Sequence, residues 1–384
     1  MSGQLVATLD TGTLAFHDSQ LDYYGKRAAA ACGAPAVPDD SKGLPEGDYS
    51  VHVWDITDGQ QKLLAQLRGH EGPVWKVSWA HPKFGSLLAT CSYDMKVIVW
   101  KEVNGQWQRA FVDTSHTASV NDVEFCPWEH GLRLACASSD GTVSVLTYIP
   151  AEARWQRSVF QAHPCGAQSV SWAPVVAAHR DSTASGGGGP AMRLATGGCD
   201  NAVAVWKSDG EVWTQEMPLL VPAHTDWVRK VAWRPDGSNT VASGSWDKTV
   251  VIWKQEMEGH PWRQLCKLPV AGCVESVAWS VTGSILGVSF GEGEVVLWKE
   301  ADDGRYEEVG KCDESGYTEV PKAASPPAAP GFGAAAPGFD ASAALGGTTA
   351  APAAAQSAAA AQSAELAAQQ QAQQQSVLDA FGLT

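Results

Sequence analysis

The stretch LRGHEGPVWKVSWAHPKFGSLLATCSYDMKVIVWKE, Leu67 to Glu102, reads as three short strands in succession. VWKVSW alternates apolar and polar residues, LLATCS is a short apolar run, and KVIVW follows a turn at YDMK. A connection at Asn104-Gly105 then leads to a fourth strand, WQRAFV. The glycine supplies the positive φ that a tight hairpin needs. This unit repeats. An acidic residue followed six positions later by a bulky apolar one recurs as Asp48 to Trp54, Asp94 to Trp100, Asp140 to Leu146, Asp200 to Trp206, Asp247 to Trp253 and Glu292 to Trp298, in steps of 46, 46, 60, 47 and 45. The long step coincides with VVAAHRDSTASGGGGPAMR (Val175 to Arg193), whose Gly and Ser content marks a surface loop. The last connection keeps its turn chemistry at Asp58-Gly59, Asp209-Gly210, Glu258-Gly259 and Asp303-Gly304. Four strands per unit and six units predict an all-β, six-bladed β-propeller.

A histidine stands nine residues before a bulky aromatic in four units: His70 to Trp79, His116 to Phe125, His163 to Trp172 and His224 to Trp233. Together with an aspartate some two dozen residues later, this resembles the WD-repeat pattern. The resemblance implies a hydrogen-bonded network in each blade, with His70 and Asp94, His116 and Asp140, His163 and Asp200, and His224 and Asp247 as its structural pairs. A semi-buried imidazole and carboxylate need partners, and pairing them pins a loop to a turn. Metal binding or catalysis would need these residues to converge, whereas the repeat spreads them round a ring. Unit one has no clean turn, because AAAACGAPAVPDDSKGLPEGDYS (Ala28 to Ser50) brings in a Pro/Gly/Asp stretch, and its His17 stands farther from Asp48. Unit six carries Val270 and Glu292 where His and Asp stand elsewhere. The degraded blades are therefore the first and the last, the two that must meet to close a ring.

Composition separates a body from a tail. All 17 Trp lie between Trp54 and Trp298, and the chain has 27 basic against 42 acidic residues, a net charge of −15. The residues from Lys311 onward carry −4 of this and the body −11. Such a balance argues against nucleic acid or anionic lipid as the main ligand, since phosphate binding needs a basic face. No run approaches the eighteen or more apolar residues of a membrane span, and MSGQLVATLDTG has neither a positive region nor an apolar core, so a soluble protein made in the cytosol is expected. Nine cysteines without a CxxC pair indicate neither a disulfide framework nor a zinc site. There is no HExxH, GxSxG or P-loop, and the GxG of FGEGE lies in a turn between strands, so no catalytic, cofactor or metal residues are assigned and no enzyme is expected. The propeller is placed at residues 1–310 and a disordered Ala/Pro/Gln-rich tail at 311–384, within which Val377, Leu378 and Phe381 form a candidate docking motif.

Six complete sets of four strands leave only LVATLDT (Leu5 to Thr11) over. That segment either pairs with blade six or lies along blade one without closing the ring; an unclosed ring exposes an edge that a partner must cover. Beyond the repeat, HDSQLDYYGKR, LRGHEGPVWKVSWAHPKFGSLLATCSYDMKVIVWKE, LACASSDGTVSVLTY, ATGGCDNAVAVWK, AHTDWVRKVAW and SVAWSVTGSILGVSFGEGEVVLWKE resemble the Sec-thirteen family, the WD-repeat subunit of the COPII vesicle coat and the nuclear pore Y-complex. The resemblance implies an open propeller completed by a blade from an α-solenoid partner. That partner would be a Sec-thirty-one-like coat subunit or a nucleoporin of the Y-complex, and a nutrient-signalling complex on the vacuole or lysosome is a third setting. The implied locations are the cytoplasmic face of the ER and its COPII vesicles, the nuclear envelope and the vacuolar membrane. Candidate edge residues are Leu5, Val6, Ala7, Thr8, Leu21 and Tyr23 towards blade one and Val274 and Val277 on blade six. The alternative is a closed WD-repeat adaptor that reads a peptide on its top face through Trp75, Trp128, Trp227 or Trp246, and an apolar channel mouth without an apolar side between blades one and six would favour it.

Overall fold

The computed structural model describes residues 16–33, 49–57, 61–175, 192–208, 210, 212–216, 224–291, 293–313 and 316–319 of the 384. They fall within the first of two units, 1–323 and 324–384, into which contacts divide the chain. Blade one comprises Phe16–Leu21, Arg27–Cys32, Ser50–Asp55 and Lys62–Arg68 (β1 to β4). Blade two comprises Val74–Trp79, Leu87–Ser92, Val97–Val103 and Gln106–Asp113 (β5 to β8). Blade three is Val120–Phe125, Arg133–Ser138, Thr142–Ile149 and Arg154–Gln161 (β9 to β12). Blade four is Ala167–Trp172, Met192–Gly198, Val203–Ser208 and Trp213–Gln215 (β13 to β16). Blade five is Val228–Trp233, Thr240–Ser245, Thr249–Lys254 and Arg263–Pro269 (β17 to β20). Blade six is Val274–Trp279, Ile285–Phe290, Glu294–Glu300 and Tyr306–Asp313 (β21 to β24), with a fifth strand, Gly316–Glu319 (β25). Each blade is an antiparallel meander in chain order.

The first strands line a central channel, to which Asp18, Lys76, Asp122, Gln168, Lys230 and Ser276 all contribute, one from each blade. Every first strand carries a bulge after its first paired residue, as at Val74/Lys76 and Val274/Ser276, which turns it along the channel wall. The hairpin turns use the residues that their backbone demands: Asn104 and Gly105 have φ of 52° and 76°, and Gly210, Gly259 and Gly304 are also left-handed.

Cohesion comes from blade faces. The second and third strands of one blade present small residues and valines to the first, second and third strands of the next. Ala29, Ala31, Val51 and Val53 meet Val74, Val77, Leu88 and Trp100 between blades one and two. Ala89, Cys91, Val97 and Val99 meet Val120, Val123, Leu134 and Leu146 at the following junction. The pattern continues through Ala135, Ala137, Val143 and Val145, then Ala195, Val203 and Val205, then Ala242, Val250 and Ile252. Burying each Val or Ile side chain contributes about 1.5–3 kcal/mol, so every junction is a substantial core. Close approach explains the small residues: a Cβ on Gly197 would lie 2.6 Å from Val228 Cγ1, and one on Gly244 would lie 2.4 Å from Val274 Cγ1.

The expected propeller boundary at residue 310 lies within β24, and β25 adds a further strand to the outer edge of blade six. The alanines that open the unit-one insertion belong to β2, where they do the work of the small residues in LLATCS; residues 34–48 of that stretch, with Asp48, lie outside the described residues.

Gly244→Ala is expected to lower the melting temperature by several degrees, the effect of about 1–3 kcal/mol of overpacking. Gly287→Ala, whose added Cβ meets nothing nearer than Leu297 Cδ2 at 3.6 Å, leaves it unchanged or raises it slightly. Thermal denaturation followed by circular dichroism checks both.

Candidate functional site

Five hydrophobic clusters fill five junctions, and among the described residues no cluster and no strand pairing joins blade six to blade one. On blade six the outward face has the same construction as the covered ones. Gly287 pairs with Leu297 and Ser289 with Val295, in the register in which Ala242 pairs with Ile252 and Gly244 with Val250. The difference is burial. Strand β18 is buried at all six positions, whereas β22 alternates, with Leu286, Val288 and Phe290 buried against blade five and Ile285, Gly287 and Ser289 partly exposed. Leu297 and Val295 are likewise partly exposed where Ile252 and Val250 are fully buried. A sheet covered on one face shows this alternation, and a sheet covered on both does not.

Blade one shows the complementary departure. Val77, Val123, Val170, Val231 and Val277 are buried at equivalent points of their first strands and face the preceding blade. Blade one has Ser19 there, exposed, and Leu21 is 56% exposed where the other blades carry Trp or Phe. Phe16, His52 and Trp54 gather on the same side, with the Phe16 and Trp54 ring centroids 6.2 Å apart. Blade one is fastened instead to blade two. Asp18 accepts from Lys76 Nζ at 2.7 Å and from the Val77 amide at 3.2 Å, while Gln20 Oε1 accepts from the Trp79 amide at 2.7 Å. Across the channel Lys230 of blade five reaches Asp122 of blade three at 2.5 Å. Burial works against the Lys76 charge, but Asp18 and Asp122 outweigh it and raise its pKa. These ties hold the incomplete ring from the inside.

Within the blades, the repeated polar residues form chains. In blade five Trp253 Nε1–H donates to Ser243 Oγ at 3.0 Å, Ser243 Oγ lies 2.8 Å from His224 Nε2, and His224 Nδ1 lies 3.1 Å from Asp247. The assignment that satisfies every atom has Ser243 donating to Nε2 and Nδ1–H donating to the carboxylate. Blades two and four repeat the chain through His70, Thr90, Asp94 and Trp100 and through His163, Thr196, Asp200 and Trp206. Blade three has Leu146 in place of Trp, and His116 bonds Ser144 at 2.8 Å and Asp140 at 2.9 Å. Burial lowers the pKa of His224 although Asp247 opposes it. For Asp140, burial alone would raise the pKa, but hydrogen bonds from Thr142, His116 and the Thr117 amide take it down to about 2. In blade six Val288 replaces the hydroxyl, and the buried Trp298 Nε1 has no partner.

The remaining residues singled out in the sequence fall as follows. Val274 and Val277 are 0% and 2% exposed in the core between blades five and six, so they are not on the open face. The bulged first strand turns them towards the preceding blade, and the open face belongs to Ile285, Gly287, Ser289, Val295 and Leu297, which the sequence reading missed. Leu21 and Tyr23 are exposed at the end of β1 and in the turn after it. Leu5, Val6, Ala7 and Thr8 lie outside the described residues, as do Glu292 and the tail. Trp75 donates to Ser119 in the next blade at 2.9 Å, Trp227 and Trp246 stack with centroids 5.1 Å apart, and Trp128 is 38% exposed. Among the described residues no group of three or more His, Cys, Asp or Glu is placed to hold a metal ion.

Fold and site together define a six-bladed WD-repeat β-propeller whose first and last blades share no junction among the described residues. Residues 61–101, 107–145 and 216–254 match the WD domain, G-beta repeat family model, and they run into blades two, three and five, where His and Asp stand 23 or 24 residues apart. The chain is 40% identical to the Protein SEC13 homolog of Drosophila melanogaster across 297 residues, which is 76% of this chain and 79% of that one. It is 38% identical across 309 residues to the protein transport protein sec13 of Emericella nidulans (78% and 95% covered) and 42% identical across 303 residues to that of Yarrowia lipolytica (78% and 96%). The chain belongs to the Sec-thirteen family.

Asp140→Asn is expected to cost about 1–3 kcal/mol at pH 7, since it weakens a set of charge-assisted hydrogen bonds. A carboxylate whose pKa is held down in the fold stabilises above its unfolded value of 3.8 and loses that contribution as pH falls towards about 2. The gap between the parent and Asp140→Asn in urea denaturation therefore narrows below pH 4. His224 has the opposite charge logic. Its folded pKa lies below 6.5, so the unfolded chain takes up the proton first and stability falls as pH drops below about 7. His224→Gln reduces that slope between pH 7 and 5.

Proposed function

We propose that the protein is a structural scaffold subunit of the COPII vesicle coat, in transport from the ER to the Golgi, and of the nuclear pore Y-complex. It binds an α-solenoid partner by accepting a blade of that partner between its sixth and first blades. The observation that carries this is the outward face of blade six. Leu297, Val295, Ile285, Gly287 and Ser289 repeat the small-residue and β-branched construction of the five covered faces, yet they stay partly exposed. A surface built to be packed and left unpacked calls for a sheet of another chain, which would bury on the order of 2,000 Å² in an obligate contact. Two of the relatives are named protein transport proteins, in keeping with a coat subunit. The proposed partners are a Sec-thirty-one-like coat subunit and a nucleoporin of the Y-complex, with a vacuolar or lysosomal nutrient-signalling complex as a further setting. The proposed sites are the cytoplasmic face of the ER, COPII vesicles and nuclear pores.

The mechanism is mechanical rather than chemical. A donated blade restores the sixth junction, and the ties at Asp18, Lys76, Asp122 and Lys230 make the completed ring stiff. A rod fastened to such a ring resists bending and holds curvature against a membrane. The His–Asp pairs support the blades and take no part in binding on this reading. The peptide-reading alternative called for an apolar channel mouth without an apolar side between blades one and six, and Leu297, Val295 and Ile285 on that side weigh for the scaffold.

Co-expression of the full chain with the partner's blade-bearing segment is expected to yield a one-to-one complex and to raise the solubility and melting temperature of the chain above those of the chain alone. Leu297→Glu should weaken capture of that segment by at least about 100-fold, because it buries a charge without a partner, and should leave the melting temperature near the parent value. Ile252→Glu, at the equivalent point of a covered face, should unfold the protein. A monodisperse, heat-stable monomer that captures no solenoid would contradict the proposal.

A further inference from the structure

Two segments outside the repeat, QLDYYG (Gln20–Gly25) and WAHPKFG (Trp79–Gly85), come together on the face that carries the loops between first and second strands. The Trp79 indole donates to the Gln20 carbonyl at 3.1 Å, and the Tyr23 ring meets the His81 ring edge-on at 4.8 Å. Tyr24 stands against Tyr23 at 5.2 Å, His81 lies 5.5 Å from Trp128, and Lys83 Nζ sits 4.4 Å above the Trp128 ring. Aromatic rings from blades one, two and three thus form one row. They are costly to leave in water: Tyr23, Tyr24 and Leu21 are 67%, 65% and 56% exposed.

The row stands on stiff loops. Asp22 Oδ1 accepts from the Lys26 and Arg27 amides at 2.8 and 3.1 Å, and His81 Nδ1 accepts from the Lys83 amide at 3.2 Å to cap the short helical turn Pro82–Phe84. On either side lies a concavity, one of about 290 Å³ between the Tyr24 turn and Gly85 and one of about 390 Å³ at the channel mouth, and Tyr23, Trp79 and Ala80 line both. Acidic groups are present at this face, with Glu124 lining the channel-mouth concavity and exposed Glu129 following Trp128. The protein carries −15, yet Lys26 and Lys83 are exposed at this face, and neither forms an ion pair with a described residue. Arg27 is engaged with Glu102 at 2.7 Å, and the Asp22 carboxylate is turned to its own loop.

We propose that this face docks an extended acidic segment of another protein, with one bulky apolar side chain in each concavity across the Tyr23–His81 ridge and carboxylates on Lys26 and Lys83. Stiff loops lower the ordering cost on this side of the contact, and aromatic anchors flanked by cations suit a short linear ligand. The surface does not depend on what fills the junction between blades six and one.

The test is fluorescence polarisation of the full chain with three labelled synthetic peptides: an acidic one of Glu and Ser bearing two Trp residues, its Lys-for-Glu counterpart and its Ala-for-Trp counterpart. The acidic Trp peptide is expected to saturate at micromolar concentration, and the other two to bind at least about tenfold more weakly. The double variant Lys26→Glu with Lys83→Glu should reverse the charge preference, and Tyr23→Ala should weaken the acidic peptide about tenfold. All three positions are exposed, so melting curves should match the parent and exclude misfolding as the cause. Equal affinity for the acidic and basic peptides, or binding that neither variant changes, would overturn the proposal. So would a dimer of the chain that Tyr23→Ala dissociates, since the occupant would then be a second copy.

Discussion

The structure depends on one repeated contact, the small residues and valines of one blade set against the bulged first strand of the next. Ala242, Gly244, Val250 and Ile252 against Val274 and Val277 show why it is exacting, for a Cβ on Gly244 would lie 2.4 Å from a Val274 methyl. Five such contacts hold six blades in order. The polar chains from Trp253 through Ser243 and His224 to Asp247, and their counterparts, serve the same end by tying the blade's loops to its sheet. Where the contact has no neighbour, the chemistry changes. Ser19 replaces a buried valine, Gly287 is partly exposed where Ala242 is buried, and Trp298 loses the hydroxyl that its counterparts use. A missing contact in a ring built from that contact leaves an open face whose shape is already specified.

Much of this was legible in the sequence because propeller blades are local. The spacing from Asp94 to Trp100 and its repeats lies within one hairpin, so the blade count, the turns at Asn104-Gly105 and Asp303-Gly304, and the His–Asp partners follow from short-range patterns. Blade one was harder. The alanines of β2 have the composition of an inserted loop, and only the neighbouring blade, which leaves no room for larger side chains, explains why they form a strand. Strand β25 follows β24 through a connection of two residues and carries no repeat signature.

The open face was missed for a geometric reason. Alternation along Val274 to Trp279 says that Val274 and Val277 are buried, but not which neighbour buries them, and the bulge between Val274 and Ser276 directs them to blade five. Ile285 to Phe290 reads in the sequence like any second strand of a blade. Its one-sided burial appears only when the ring is assembled and one neighbour is lacking. The row from Tyr24 to Trp128 was hidden in the same way, because its members come from three blades and meet only across the face of the propeller. Each motif was visible in the sequence, and their adjacency was not.

Among the described residues, blade six offers a packed-core surface with no core on it. Hydroxyl-radical footprinting of the chain, alone and with the blade segment of the proposed partner, measures it side chain by side chain. Leu297, Val295 and Ile285 should be labelled in the isolated chain and protected in the complex, while Ile252 and Val250 stay silent in both. Protection of Leu297 equal to that of Ile252 in the isolated chain would contradict this, since the ring would then be closed by its own residues.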